Sequence, residues 1–86
     1  MNPEKLLAKA RNNPKGLRFA ELEQLAKAFG YAFDRQNGSH RVYRHPRVVP
    51  RLNIQPERDG KAKEYQVRQF LRDIDAAGLT LGEDTP

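Results

Sequence analysis

The chain has 86 residues, enough for one small domain and no more. Hydrophobic residues make up 37% and charged ones 31%; no apolar run approaches the roughly 20 residues a membrane span needs and no secretory leader opens the chain, which excludes a bilayer protein and makes the cytoplasm the expected location. Cysteine is absent, which removes disulfides, thiolate metal sites and cysteine nucleophiles, while 16 basic residues against 11 acidic ones give net +5 and point to a polyanionic partner.

Asn2 followed by Pro3 reads as a helix N-cap and first helical residue, and Leu6, Leu7 and Ala10 form an apolar stripe over about residues 3–13. After the break from Asn12 to Gly16, Phe19, Leu22, Leu25, Ala26 and Phe29 recur at three- and four-residue spacing, and Gly30 stands where a C-terminal cap belongs. At Tyr31 the period falls to two. Tyr31, Phe33 and Arg35 alternate with Ala32, Asp34 and Gln36, Asn37-Gly38 is a strong hairpin signal, and Ser39 to His45 returns as a second strand. Leu52 and Ile54, between Pro50 and Pro56, predict a short third strand at a sheet edge. Asp59-Gly60 turns the chain into a last helix lined by Val67, Phe70, Leu71, Ile74 and Ala77 and closed by Gly78, and residues 82–86 read as a polar, frayed tail. The expected fold is α+β in the order α-α-β-β-β-α, an antiparallel three-stranded sheet with helices on one face.

Charge is concentrated in the middle. Residues 35–68 carry nine basic and three acidic side chains, and between Arg35 and Pro56 there are five arginines, two histidines and no acid. A strip of that kind suits phosphate binding better than a merely solvated face. If Asn37 and Gly38 are the two turn residues, Gln36 pairs with Ser39, Arg35 with His40, Asp34 with Arg41, Phe33 with Val42 and Ala32 with Tyr43. Phe33, Val42, Arg35 and His40 then share the core-side face. His40 would lie at its rim with Arg35 across, and a neighbouring guanidinium disfavours the imidazolium, as suits a general base. On spacing alone, a histidine satisfied by a backbone carbonyl is the plainer reading. His40 and His45, five apart, face opposite sides of a strand, and with no carboxylate nearby they form neither a metal site nor an acid–base pair. A Ser39–His40 dyad is poor for the same geometric reason, since adjacent strand side chains diverge. Lys61 and Lys63 are expected at the start of the last helix, where free N–H groups favour an anion, with Gln66 as a neutral donor one turn in.

The run Gly38-Ser39-His40-Arg41-Val42-Tyr43-Arg44-His45-Pro46, with Phe29-Gly30-Tyr31 and Arg35-Gln36 before it, resembles the HicA toxins of bacterial toxin–antitoxin pairs. Leu52-Asn53-Ile54-Gln55-Pro56, Gly60-Lys61-Ala62-Lys63 and Tyr65 to Leu71 are similar to a longer HicA subgroup, and the likeness covers roughly residues 17–79. This resemblance implies a double-stranded-RNA-binding-like fold and a metal-independent endoribonuclease, without cofactor, that cleaves messenger RNA. Its functional histidine falls on His40, in proton transfer at a ribose 2′-hydroxyl or the leaving 5′-oxygen. Arg35, Arg41 and Arg44 become candidates to hold the scissile phosphate or its neighbours, Lys61, Lys63 and Gln66 to position the strand, and Ser39 and Tyr43 further RNA contacts. The implied partner is a HicB antitoxin, the free toxin being a monomer. A non-catalytic RNA-binding module is the alternative, and a protein-interaction domain with a basic face a third.

Overall fold

The computed structural model describes residues 1–81; the predicted polar tail, 82–86, lies outside them. Helix α1 (Pro3–Asn12) begins where the sequence says it should, with Asn2 Oδ1 accepting from the Lys5 N–H at 2.8 Å. A short 3₁₀ turn (Pro14–Gly16) leads to α2 (Phe19–Ala28), whose Glu21 reaches back to accept from the Arg18 N–H at 2.9 Å. Gly30 takes φ 98°, which lets the chain leave α2 directly into the sheet. Strands β1 (Ala32–Asn37), β2 (His40–His45) and β3 (Val48–Ile54) pair antiparallel in the order β1-β2-β3, and α3 (Glu64–Ala76) follows.

The apolar stripes predicted for the helices meet in one core. Leu6 and Ala10 of α1, Leu22, Leu25 and Ala26 of α2, and Val67, Phe70 and Ile74 of α3 pack with Tyr43, Leu52 and Ile54 of the sheet. Full burial of side chains of this size is worth about 1.5–3 kcal/mol each. All three helices therefore cover one face of the sheet and leave the other to solvent. Helix α1 belongs to this core: Leu6 and Ala10 are wholly buried, Lys9 pairs with Glu21 of α2 at 2.9 Å, and Arg11 grips Asp75 of α3 through two bonds of 3.0 and 2.8 Å.

The hairpin differs from the expected register. Asn37 pairs with His40, Gln36 with Arg41 and Arg35 with Val42, so Gly38 and Ser39 are the turn residues rather than Asn37 and Gly38. Gly38 alone in the turn has positive φ, 60°, which fits a turn with glycine first. A bulge at Asp34 then resets the pairing to Phe33 with Tyr43 and Ala32 with Arg44. As a result Phe33, Arg41 and Tyr43 share the helix-side face, whereas Arg35, His40 and Val42 share the open one; Phe33 keeps its face but, on an edge strand, is 43% exposed, and Val42 is buried on the other side at 4%. The reason lies one strand away. Tyr43 pairs with Leu52 and Arg41 with Ile54, so burying Leu52 and Ile54 buries Tyr43 with them, and that area outweighs the local Asn-Gly preference.

Two other boundaries move. Strand β3 starts at Val48 and runs through Pro50, whereas the expected strand lay between Pro50 and Pro56; an edge strand permits the proline. Helix α3 starts at Glu64 with Lys63 as its N-cap residue, so Lys61 precedes the helix. Lys61 is instead tied into the loop, bridged to Arg18, while Gly60 C=O accepts from Phe19 N–H at 3.0 Å.

Candidate active site

His40 opens β2 immediately after the turn and is exposed. Its partner is Asn53 of β3, whose Oδ1 lies 3.0 Å from Nδ1. A carboxamide oxygen only accepts, so Nδ1 carries the proton and Nε2 presents its lone pair to solvent. Arg35, expected across from His40, pairs with Val42 instead and directs its guanidinium to Asp34 at 2.9 Å. The group that orients His40 is thus neutral. A groove of about 320 Å³ opens beside it, walled by Pro50, Arg51, Leu52 and Asn53 on the strand side and by Tyr65, Gln66, Gln69 and Asp73 on α3.

The arginines divide between the two sheet faces. On the open face Asp34, at the bulge, holds Arg35 at 2.9 Å, Arg51 at 3.0 Å and Arg44 at 3.2 Å. Three guanidiniums against one carboxylate leave a local excess of two positive charges, and each arginine side chain is more than half exposed. Arg41 lies on the other face. It is 3.1 Å from Glu23 of α2 and stacks over the Phe33 ring at 5.1 Å, so it is paired and partly covered. Tyr43, expected as an RNA contact, is wholly buried and donates its hydroxyl hydrogen bond to Glu23. Burial, reinforced by that carboxylate, pushes the phenol up to about 12. Tyr43 is therefore part of the core and offers no surface to a nucleic acid.

Gln66, expected as a neutral donor, lines the His40 groove but is largely committed to the fold. It is 7% exposed, and its Oε1 accepts from the Gln55 N–H at 3.0 Å, which fastens the end of β3 to α3. Ser39 sits exposed in the turn next to His40. Lys61 lies elsewhere, in a separate hollow of about 600 Å³ shared with Lys15 and Arg58 but also with Glu57, Asp59 and Glu64. Lys63 donates to Glu57 at 3.3 Å. The structure thus brings His40 near Arg51 and keeps Lys61 and Lys63 out of its groove.

His45 has the surroundings first considered for His40. It is 7% exposed, its Nε2 donates to the Phe29 carbonyl at 2.9 Å, and its Nδ1 accepts from the Arg47 N–H at 3.0 Å. Tyr31 packs edge-on to the ring at 5.0 Å. Among the described residues no three His, Asp or Glu side chains gather in a metal-holding arrangement, and no helix is long and apolar enough to cross a membrane.

Five site residues escaped the sequence reading: Arg51, Asn53, Tyr65, Gln69 and Asp73. Alternation with Leu52 and Ile54 sends Asn53 to the open face, but the expected hairpin register set His40 on the other, so the two could not be brought together from sequence. The helical trio had a weak signal, the four-residue spacing that lines up positions 65, 69 and 73.

A sheet covered by helices on one side, with a basic open side and an exposed histidine held by a neutral partner, defines a small α+β domain. The family comparison is specific: residues 19–76 match the family described as "HicA toxin of bacterial toxin-antitoxin". The chain belongs to this family of toxins, whose members pair with an antitoxin. No curated protein and no solved structure matches it. Helix α1 lies wholly outside the matched span, yet two of its side chains are fully buried in the common core.

Proposed function

We propose that the chain is a metal-independent endoribonuclease acting on messenger RNA in the cytoplasm, with His40 as the proton-transferring group. The observation that carries this reading is the His40–Asn53 bond beside an open groove. With Nδ1–H held by Asn53, Nε2 is free to take the proton of a ribose 2′-hydroxyl as that oxygen attacks the adjacent phosphorus. The alternative role for the same nitrogen, in its protonated form, is to donate to the leaving 5′-oxygen, with solvent taking the 2′-hydroxyl proton. One positioned acid–base group contributes about 10²–10⁴-fold.

Arg51 lines the groove and is the arginine suited to the scissile phosphate. Arg35 and Arg44, sharing Asp34 with it, would hold neighbouring phosphates on the open face. Lys61 and Lys63 then act further along the strand, and Ser39 contacts the chain near the cut. A HicB-type antitoxin would silence the toxin by covering the open face, and the free toxin acts as a monomer.

Expression of the chain alone should arrest growth and fragment messenger RNA, and His40→Ala should relieve both at equal protein level. Arrest by the folded His40→Ala protein would overturn the catalytic assignment. RNA that is bound but never cut by the wild type would leave a non-catalytic RNA-binding module.

A further inference from the structure

The α3 wall of the groove has a chemistry of its own. Tyr65, Gln69 and Asp73 follow at four-residue intervals on one helix face, and all three line the cavity that contains His40. Tyr65 is 67% exposed, an aromatic ring of that size standing free at the mouth of a polar groove. Its hydroxyl lies 3.4 Å from Gln66 Nε2, a long contact, and Gln66 is anchored to β3. Asp73 Oδ1 accepts from Gln69 Nε2 at 2.8 Å, and its second oxygen has no bonding partner among the described residues.

A phosphate does not suit this wall. No cation of α3 lines the groove and the Asp73 carboxylate repels an anion; Arg51 lines the strand side, with its guanidinium drawn to Asp34 on the open face. A nucleobase suits it well. Bases stack on exposed aromatic rings whatever their sequence, and a fixed carboxylate oxygen accepts from an exocyclic amino group.

We infer that the Tyr65–Gln69–Asp73 face of α3 is a nucleobase subsite: the base next to the scissile phosphate stacks on Tyr65 and is selected by Asp73 for an exocyclic amino group, against uracil. The inference rests on the ribonuclease reading of His40 and adds the substrate selection of the same groove. Tyr65 and Asp73 are positioning and specificity residues.

The test compares cleavage of short single-stranded RNAs by the wild type, Tyr65→Ala, Tyr65→Phe and Asp73→Asn. Loss of one stacked base costs about 5- to 150-fold, so Tyr65→Ala should lose that much in kcat/KM while Tyr65→Phe stays near wild type. An abasic site at the subsite should slow the wild type and remove the difference between it and Tyr65→Ala. Asp73→Asn should weaken discrimination against uracil at that position by roughly tenfold. Equal cleavage by Tyr65→Ala and wild type, or loss of antitoxin binding alone, would overturn the subsite. The same pair of proteins is also compared for RNA binding in a His40→Ala background. A wild type that cuts nothing would overturn the nuclease reading, while weaker binding by Tyr65→Ala would still support the base subsite and equal binding would overturn it.

Discussion

Strand β2 carries a histidine at each end, and the sheet treats them in opposite ways. His45 points to the helices, with both ring nitrogens bonded to backbone groups and Tyr31 against it. His40 points to solvent, with one nitrogen on a side chain and the other open. The same imidazole holds the fold in one place and is available for chemistry in the other. Neither type of residue nor strand membership decides this; the number of ring nitrogens committed to buried partners does.

The buried end is the more sensitive to substitution. His45→Ala leaves the Phe29 carbonyl and the Arg47 N–H without their partner and opens a cavity beside Tyr31. Urea unfolding should show a loss of at least about 2 kcal/mol, whereas His40→Ala should leave the urea midpoint nearly unchanged. Equal midpoints for the two variants would mean that His45 is not the structural one. Asn53→Ala sharpens the exposed end, because it frees the ring without touching the core. We expect about a 10- to 100-fold fall in kcat with a smaller change in KM, measured on one RNA under saturating and limiting conditions. A change confined to KM would make Asn53 an RNA contact only.

The two sheet faces give a further contrast. Asp34 gathers three arginines on the open face, while Glu23 pairs with Arg41 on the covered one. Asp34→Asn releases guanidiniums toward RNA, so binding should tighten at low salt and its log–log salt slope should steepen by about 0.7 for each phosphate newly contacted. Lys61 and Lys63, outside the groove, should alter that slope by roughly 1.4 at most when both become alanine, with no change in cleavage position. An unchanged slope for Asp34→Asn would place the RNA away from the open face.

The smallest effect expected concerns acid. Burial pushes the Glu21 carboxyl up, but the Lys9 bond, the Arg18 N–H and both their charges outweigh it, and the net direction is down. The Arg11 bond likewise lowers Asp75, against a lesser push from burial. A carboxyl lowered by folding stabilises above its ordinary range and loses that contribution as pH falls through its folded value. Helix α1 should therefore loosen from α2 and α3 below about pH 4, but by under 1 kcal/mol for the exposed Arg11–Asp75 pair. Hydrogen exchange of the α1 amides at pH 6 and pH 3 reads this directly; identical protection at both would mean these pairs contribute nothing.

What the sequence made legible was local. Asn2-Pro3 marked the start of α1, the three- and four-residue spacings marked α2 and α3, and alternation marked the strands. His40 stood out through the Gly-Ser-His-x-x-Tyr run. Long-range terms were hidden. The hairpin register was set by Tyr43 packing with Leu52 and Ile54, which an Asn-Gly pair cannot foresee. The acid-free stretch from Arg35 to Pro56 suggested unpaired arginines, yet Asp34, one residue upstream, engages three of them, and Glu23 from another element engages a fourth. Asn53 needed the sheet order before it could be set beside His40.

On the proposed reading, an oriented, exposed His40 moves a proton during RNA cleavage without a metal. The most direct measurement is the single-turnover rate on single-stranded RNA in EDTA, for wild type and His40→Ala side by side. The wild-type rate should survive chelation, and the folded variant should fall by at least about 10²-fold. A folded His40→Ala protein that cuts at the wild-type rate, or a wild type that stops in EDTA and recovers with a divalent cation, would contradict that reading.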